Sequence, residues 1–256
     1  MTEALTKYRH LQQVKRTWTP VQSTSGELAL PSGKEALQRG LALRSLEIPV
    51  GDFISDAMKG DLPQGTEAEG CKELLISNVK DEEKHDIALT YAAQALGIPD
   101  RFEKEAAKIT QAWLDLDRHP VLKAVVLERS VFLVLLPMFR FLGDSGLRTT
   151  SADISRDEGT HVAANTLICH DLGLKPDKAL NSLRRATLAW ALQSLQAQHT
   201  DSSLSSMECK HLSSNYWLEM SDDLYARGKA AGLSHTRASR MPAFFETANQ
   251  NLPQYA

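Results

Sequence analysis

The chain has 256 residues, a net charge of −3, and a composition of 42% hydrophobic and 24% charged residues. This length fits one large helical domain or at most two small ones, with enough apolar content for a buried core. The balanced composition excludes a disordered chain, and the near-neutral charge excludes nucleic acid as the main partner.

Helical periodicity dominates the sequence and strand signals are almost absent, so we predict an all-α fold. Clusters of glycine, proline and aspartate separate the helical segments. We divide the chain into a helical domain at 1–241 and a C-terminal tail at 242–256. In chain order, the predicted helices cover about 34–59, 66–96, 101–117, 120–142, 151–172, 177–197 and 205–232.

The sequence carries no membrane signal. The N-terminal residues lack the continuous apolar stretch of a secretory signal peptide. The longest apolar run, Val131 to Phe139, is interrupted by Pro137 and is well short of the roughly 20 residues that span a bilayer. The three cysteines have no metal-binding spacing and are expected to be reduced thiols. We therefore expect a soluble, cytoplasmic protein.

Four of the predicted helices carry a glutamate in the middle of an apolar stripe. The clearest case is Glu128, which shares its helix face with Val125, Phe132 and Leu135. A carboxylate in such surroundings costs several kcal/mol unless it is paired or bound to a cation. The other acids with this pattern are Glu47, Glu82 and Glu158.

Two of these acids are followed by a histidine three residues later. This spacing places a carboxylate and an imidazole on one helix face, about 5–6 Å apart at Cβ, so that both can reach one ion. A third Glu-x-x-His sequence, at 208–211, lies in polar surroundings behind Ser205. Since Ser-x-x-Glu is a capping box, we interpret that sequence as a helix start. The two candidate ligand pairs are Glu82 with His85 and Glu158 with His161.

In chain order, the four helices supply Glu, Glu-x-x-His, Glu and Glu-x-x-His. This is the ligand set of ferritin-like di-iron and di-manganese carboxylate proteins. Oxygen and imidazole ligands without thiolate favour iron or manganese over structural zinc. The competing interpretation is a helical bundle whose buried acids bind no metal. We predict a ferritin-like four-helix bundle with additional flanking helices and a dinuclear metal centre held by Glu47, Glu82, His85, Glu128, Glu158 and His161.

The stretch from Ala124 to Thr166 resembles the small (β) subunit of class I ribonucleotide reductase. In that family, a helix with a buried acid leads through a Gly-Leu connection into Ile-x-Arg-Asp-Glu-x-x-His, which matches residues 154–161. Tyr8 together with Trp-Thr-Pro at 18–20 is similar to the family's N-terminal Tyr…Phe-Trp-x-Pro pattern. Residues 221–228 are similar to its Ala-Asp-x-Leu-Leu…Gly helix. The resemblance covers most of the chain, which is short for the family.

The resemblance implies a role for each matching position. The six acids and histidines would be the metal ligands, and Glu47 stands where many relatives have aspartate. Asp157 would hydrogen-bond both a metal-bound histidine and Trp18, and Trp18 would be the first stop for an electron leaving the partner subunit. The alternatives are an Asp157 that pairs with Arg156, and a Trp18 that only anchors the core or the surface.

One position departs from the family. Its radical tyrosine lies four residues after the first ligand histidine, where this chain has Leu89. Leucine has no accessible one-electron chemistry, and Tyr91 is rotated about 200° further around the helix, away from the metals. The metal pair itself is then the expected oxidant; we favour Mn/Mn, with Mn/Fe or Fe/Fe as alternatives. A second departure is Pro49, which predicts a kink or bulge near Glu47.

The resemblance implies that this subunit acts only with a large (α) catalytic subunit, where a cysteine starts the reduction of ribonucleotides. It also suggests a homodimer. The family's flexible tail docks on the large subunit and carries a redox tyrosine, for which only Tyr255 qualifies; the alternative is a plain surface tyrosine. Two other function classes stay open. One is a stand-alone ferritin-like di-metal oxygenase or oxidase acting on a small organic or lipid substrate, and the other is an iron-storage or non-catalytic interaction bundle.

Overall fold

The computed structural model of the protein describes residues 3–60, 62–64 and 66–230. This part of the chain is helical and contains no β-strand, so its all-α class is as predicted. Within it, no helix is both long enough and apolar enough to cross a lipid bilayer. The predicted tail at 242–256, including Tyr255, lies outside the described residues.

The described residues form eleven α-helices. Two 3-10 turns, at Pro31–Gly33 and Leu43–Leu46, and one π-helix, at Glu128–Phe132, interrupt the α-helical geometry. The α-helices are α1 (Glu3–Val14), α2 (Lys34–Ala42), α3 (Glu47–Ala57), α4 (Thr66–Leu96), α5 (Asp100–Asp115), α6 (Pro120–Leu127), α7 (Leu133–Leu142), α8 (Ser145–Asp171), α9 (Lys178–Leu192), α10 (Ser206–His211) and α11 (Ser214–Ala230).

Four helical segments form the centre of the fold. α3 packs against α4, α4 against α8, α8 against α6, and α6 against α3, so they enclose a common interior. The segment from α6 through the π-helix is the most enclosed, since every residue from 121 to 140 is buried. A helix that is apolar on all sides is stable only when neighbours surround it. The others are flanking helices: α1 lies against α4 and α8, whereas α2, α5 and α9 pack on one another.

Helix starts follow signals in the local sequence. Asp144 precedes α8 and accepts a hydrogen bond from a first-turn N–H, and Asp177 does the same for α9. Pro120 opens α6, at a position where its missing N–H is not needed. The predicted capping box of Ser205 and Glu208 is confirmed at the start of α10. These caps satisfy N–H groups that would otherwise have no partner.

Three segments predicted as single helices are divided in the structure. The segment predicted at 120–142 consists of α6, the π-helix and α7. The segment predicted at 34–59 consists of α2, a 3-10 turn and α3, and its last helical residue is Ala57. The segment predicted at 205–232 is split into α10 and α11. The split arises because the N–H of Ser214 donates to the carbonyl of Gln196 (2.8 Å) instead of continuing the helix.

The irregularity expected from Pro49 lies just before it. Pro49 has no N–H to offer the carbonyl of Ser45, and Ser45 is part of the 3-10 turn that precedes α3. A larger departure from α-helical geometry, the π-helix that begins at Glu128, was not predicted. The 3-10 turn therefore ends directly before Glu47, and the π-helix begins at Glu128; both glutamates are predicted to bind metal.

Residues 15–30 form an irregular segment, here called the strap, that is tied to the start of α8. Ser25 donates from both its backbone N–H and its hydroxyl to the carboxylate of Asp144. Where the strap passes Gly146, the absence of a side chain lets the backbone of Ser23 lie directly against the helix. These contacts fix the course of the strap, which carries Trp18.

Replacing Gly146 with alanine should displace the strap, because the added Cβ would collide with backbone atoms of Ser23 and Thr24. We expect the free energy of unfolding, measured with urea, to fall by about 1–3 kcal/mol, as for overpacking elsewhere. Gly60→Ala is the matched control, since nothing lies within 4 Å of its added Cβ. Equal stability of the two variants would contradict the tight contact.

Candidate metal centre

The six side chains predicted as metal ligands meet in the interior that the four central helices enclose. Each is at most 1% exposed. Their ligand atoms form two overlapping groups, within which all ligand atoms lie within 4.8 Å of one another. This arrangement is compatible with a metal site. The groups are Glu47, Glu82, His85 and Glu158 on one side, and Glu82, Glu128 and His161 on the other.

Local structure explains how each side chain reaches the interior. Glu47 is the first residue of α3, directly after the 3-10 turn, and Glu128 is the first residue of the π-helix. The two Glu-x-x-His pairs lie on α4 and α8, where residues three apart in sequence point the same way. Each of the four central segments therefore contributes one carboxylate, and two of them add an imidazole.

Most inward-facing atoms of these groups make no hydrogen bond within the described residues. Buried polar atoms are nearly always hydrogen-bonded, and carboxylates at close range repel one another. The residues therefore fit bound cations, which would offset the repulsion between the carboxylates and give the unbonded oxygen and nitrogen atoms a partner. The atoms without a hydrogen bond are Glu47 Oε2, both carboxylate oxygens of Glu82 and of Glu158, and Nδ1 of His85 and of His161.

An aspartate holds the outer nitrogen of each imidazole. His85 Nε2 lies 3.3 Å from Asp157 Oδ2, and His161 Nε2 lies 3.2 Å from Asp81 Oδ2. An ionised carboxylate only accepts, so Nε2 carries a proton, and Nδ1 can offer its lone pair to a cation once it has lost any proton of its own. Carboxylates in this position orient histidine ligands and make them more basic.

Asp157 was predicted from the sequence and Asp81 was not, although a signal for it was present. The sequence Asp-Glu-x-x-His occurs twice, at 81–85 and at 157–161. In the structure the two segments exchange partners, because the aspartate of each helix bonds the histidine of the other. The repeated aspartate is thus the feature that sequence reasoning could have used.

Two lysines compensate the charges of the outer aspartates. Lys15, from the strap, forms an ion pair with Asp81 and donates to Asn78 at 2.8 Å. Lys84 pairs with Asp81 at 2.6 Å and lies 3.8 Å from Asp157. Burial opposes ionisation of Asp81, but the adjacent imidazole and the lysines outweigh it and hold its pKa far below the usual range. Burial lowers the pKa of Lys15.

Trp18 extends this network towards the surface. Its indole Nε1 donates to Asp157 Oδ2 at 2.7 Å, and the same oxygen faces His85. The indole also stacks on the imidazole of His85, with 6.1 Å between ring centroids and 15° between planes. Arg156 pairs with Asp153 at 2.7 Å, so the alternative that assigned it to Asp157 is wrong. Trp18, half-buried, thus has a hydrogen-bonded connection to the buried group.

Glu128 is held differently from the other acids. Asn165 donates from Nδ2 to both of its carboxylate oxygens, at 3.0 and 2.8 Å. Asn165 lies one turn beyond His161 on the same face of α8, yet sequence analysis did not select it. The π-helix that begins at Glu128 was also missed. π-helices are frequent at functional sites, where they redirect side chains.

Charges inside the group shift the pKa values of its members in opposite directions. Burial alone would raise the pKa of Glu82, but the two imidazoles outweigh this effect and lower the pKa to about 2. Burial alone would lower the pKa of His161, but Glu82 and the hydrogen bond with Asp81 outweigh this effect and raise the pKa to about 10. Burial is also the main reason for the raised pKa values of Glu47, Glu128 and Glu158.

The other positions singled out in the sequence lie outside the two groups. Leu89 is buried on α4, and Tyr91 is half-buried on the same helix. Glu208 is engaged in the capping box with Ser205, so the interpretation of that pair as a helix start is confirmed. Tyr255 lies outside the described residues.

Comparisons with known proteins identify no relative of this chain. No family model, no curated protein and no solved structure matches it. Family membership, as suggested by the resemblance over 124–166, therefore stays a prediction. The geometry of the buried carboxylates and imidazoles stands independently of these comparisons.

Metal binding should release protons from the site. At pH 7 the raised pKa of His161, about 10, keeps a proton on the ring that must leave before Nδ1 can bind a cation. Glu82, with a pKa of about 2, releases none. Calorimetric titration with Mn²⁺ in buffers of different ionisation enthalpy should show net proton release, and affinity should rise with pH towards 10. The His161→Ala variant should release fewer protons; an equal release would contradict this assignment.

Asp81 should support metal binding through His161. We expect Asp81→Asn to lower Mn²⁺ affinity by about 10–100-fold, because an amide oxygen holds the imidazole less strongly than a carboxylate. Competition with a chelator measures this affinity. Asp52→Asn, on the exposed face of α3, is the matched control and should leave affinity unchanged. Wild-type affinity in the Asp81 variant would mean that its bond to His161 is only structural.

Proposed function

We propose that this protein is the radical-generating small (β) subunit of a class I ribonucleotide reductase, with a ferritin-like bundle holding two metal ions. The observation that carries the proposal is the chain of contacts from Trp18 through Asp157 to His85. A metal site that acts alone has no need for an oxidisable ring hydrogen-bonded to the aspartate that holds a histidine of the site. An electron-transfer subunit does need it.

The residues suggest how two ions would be held. Glu82 belongs to both groups of ligand atoms, and Glu158 oxygens lie 3.3 Å from Nδ1 of His85 and 3.9 Å from Nδ1 of His161. Both acids would therefore help to hold the two ions. Glu47 and His85 would complete one coordination sphere. Glu128 and His161 would complete the other.

The donor set favours manganese or iron. Carboxylate oxygens and imidazole nitrogens without thiolate suit these metals. We propose a Mn/Mn centre, with Mn/Fe and Fe/Fe as alternatives, because Leu89 occupies the position where the family's stored tyrosyl radical would form. When bound and oxidised by oxygen or superoxide, such a pair supplies a one-electron oxidant.

The protein's own residues prepare Trp18 for electron loss. Oxidation of an indole makes its N–H strongly acidic, and Asp157 Oδ2, 2.7 Å away, is placed to accept that proton. Lys84 Nζ lies 5.2 Å from the indole ring and opposes the accumulation of positive charge on it. The electron would move from the ring towards His85, and the proton towards Asp157. Enclosure of the ligands, each at most 1% exposed, excludes water.

The proposal requires a partner. The sequence contains no glycine-rich nucleotide-binding loop, so ribonucleotide reduction would take place in a large (α) subunit, where a cysteine receives the oxidising equivalent. The tail at 242–256, with Tyr255, would dock there and relay the radical. We propose that the complex acts in the cytoplasm in deoxyribonucleotide synthesis.

Trp18→Phe tests the proposal directly. Phenylalanine keeps the packing but has no N–H for Asp157 and is far harder to oxidise, so reductase turnover with the large subunit should be lost while Mn²⁺ loading is retained. Trp190→Phe is the matched control, because that indole also donates to a carboxylate, Glu105 at 2.7 Å, but has no histidine behind it. Full turnover of the Trp18 variant would exclude the pathway.

A stand-alone di-metal oxygenase or oxidase is the second candidate function. The absence of the family's tyrosine, with Leu89 buried at that position, is the observation that favours it. This function requires product formation from a small organic substrate by the metal-loaded protein alone. Electron paramagnetic resonance and metal analysis after aerobic loading identify the metals, and a tyrosyl-type signal would contradict the role given to Leu89.

A further inference from the structure

Arg129 is a buried cation without a carboxylate partner in the part of the chain that the structure describes. It directly follows Glu128 in the π-helix and is only 9% exposed. Its Nη2 donates to the hydroxyl oxygen of Thr166 at 2.6 Å, and its Nε–H has no acceptor among the described residues. Arginine is rarely buried unless it is paired, because an uncompensated charge away from water is costly. This guanidinium group therefore needs a negative partner.

Two other buried arginines have such a partner. Arg184, 1% exposed, pairs with Asp222 at 2.6 Å. Arg39, 7% exposed, pairs with Glu105 at 3.2 Å. In both cases the chain itself supplies the carboxylate that offsets the buried guanidinium charge. Arg129 differs from both, although it lies deep between α8 and α11, the helices that pack against the π-helix.

The neighbouring carboxylate of Glu128 does not take this role. Asn165 donates to both of its oxygens, and the same carboxylate belongs to the candidate metal centre. Neither oxygen lies within ion-pair distance of the Arg129 guanidinium. Cations bound at the centre would add positive charge close to Arg129, because the two residues adjoin in sequence. Metal binding would therefore increase the need for a negative partner at Arg129.

Two neighbouring donors are available to an anion on one side of Arg129. Nε and Nη2 form one edge of the planar guanidinium group, and this edge suits a two-point contact with an anion. Because Thr166 Oγ1 accepts from Nη2, its own O–H is left to donate, and within the described residues it has no acceptor. A water molecule would accept from both donors but would not offset the charge.

We infer that Arg129 and Thr166 bind one small monovalent anion of the size of chloride or bromide. Thr166 is fully buried and Arg129 nearly so, which favours a small ion over a large one. A single guanidinium balances one negative charge, so a doubly charged ion such as sulfate would bring an uncompensated charge into the interior. The site is separate from the six predicted metal ligands, and the inference does not depend on the identity of the metals or on the proposed function.

Urea unfolding of the metal-free protein in bromide tests the site. Replacement of gluconate, a much larger monovalent anion, by bromide at constant ionic strength should raise the urea midpoint of the wild type. The reason is that a ligand that binds only the folded chain stabilises it by mass action. Arg129→Met should abolish this increase. Arg44→Met is the matched control, because that guanidinium pairs with Glu103 at 2.9 Å, and this variant should keep the increase.

A second pair of variants keeps the test valid if the Arg129 variant does not fold. Thr166→Val removes the O–H with little change of volume, and it should weaken bromide binding at least about tenfold, as for other hydrogen bonds to charged groups. Thr166→Ser keeps the hydroxyl and should bind bromide as the wild type does. The dependence of the unfolding free energy on bromide concentration gives both dissociation constants.

Anomalous scattering from bromide-soaked crystals of the metal-free protein locates the ion. We expect a peak within hydrogen-bond distance of Arg129 Nε and Thr166 Oγ1. Three results would overturn the inference: a urea midpoint that does not respond to bromide, an equal response in the Arg129→Met and Thr166→Val variants, or bromide peaks only elsewhere. Because no metal is present, these results are independent of the Trp18→Phe experiment, and failure of the anion site is distinguishable from failure of the proposed function.

Discussion

The removal of charge from water is the constraint on which this structure depends. Four carboxylates and two imidazoles converge where each is at most 1% exposed, and most of their inward atoms have no hydrogen bond to any other residue that the structure describes. Such a group is stable only with compensating charge. Two divalent cations would balance the four carboxylates, and Lys15 and Lys84 already balance the two outer aspartates. Charge would thus be compensated by cations in the interior and by lysines at the aspartates around it.

The strap gives the two histidines different surroundings. The Asp-Glu-x-x-His segments of α4 and α8 are equivalent in sequence, and each aspartate holds the histidine of the other helix. Only their outer partners differ, since the strap places Trp18 on one aspartate and Lys15 on the other. An indole can lose an electron at an accessible potential and an ammonium group cannot. Electrons would therefore enter the centre by one of two otherwise similar routes.

Helix α4 connects the interior with the surface. Its inner face supplies an acid, a histidine and the outer aspartate of the candidate centre. The same helix receives Lys15 from the strap and packs against α3, where a Cβ added at Gly51 would be in ordinary van der Waals contact with Glu82. The helix that supplies residues of the candidate centre is thus also the one that the strap and α3 hold in place.

The sequence by itself determined the helical class, most helix positions and the six side chains that meet in the interior. These follow from local chemistry: proline and glycine end helices, apolar stripes mark buried faces, and an acid within such a stripe requires compensation. Only the tertiary structure decided the exchange of Asp81 and Asp157 between helices, the contact of Asn165 with Glu128, and the separation of α10 from α11. Each of these is a contact between residues distant in sequence, and its partner is chosen by packing, which no local pattern encodes.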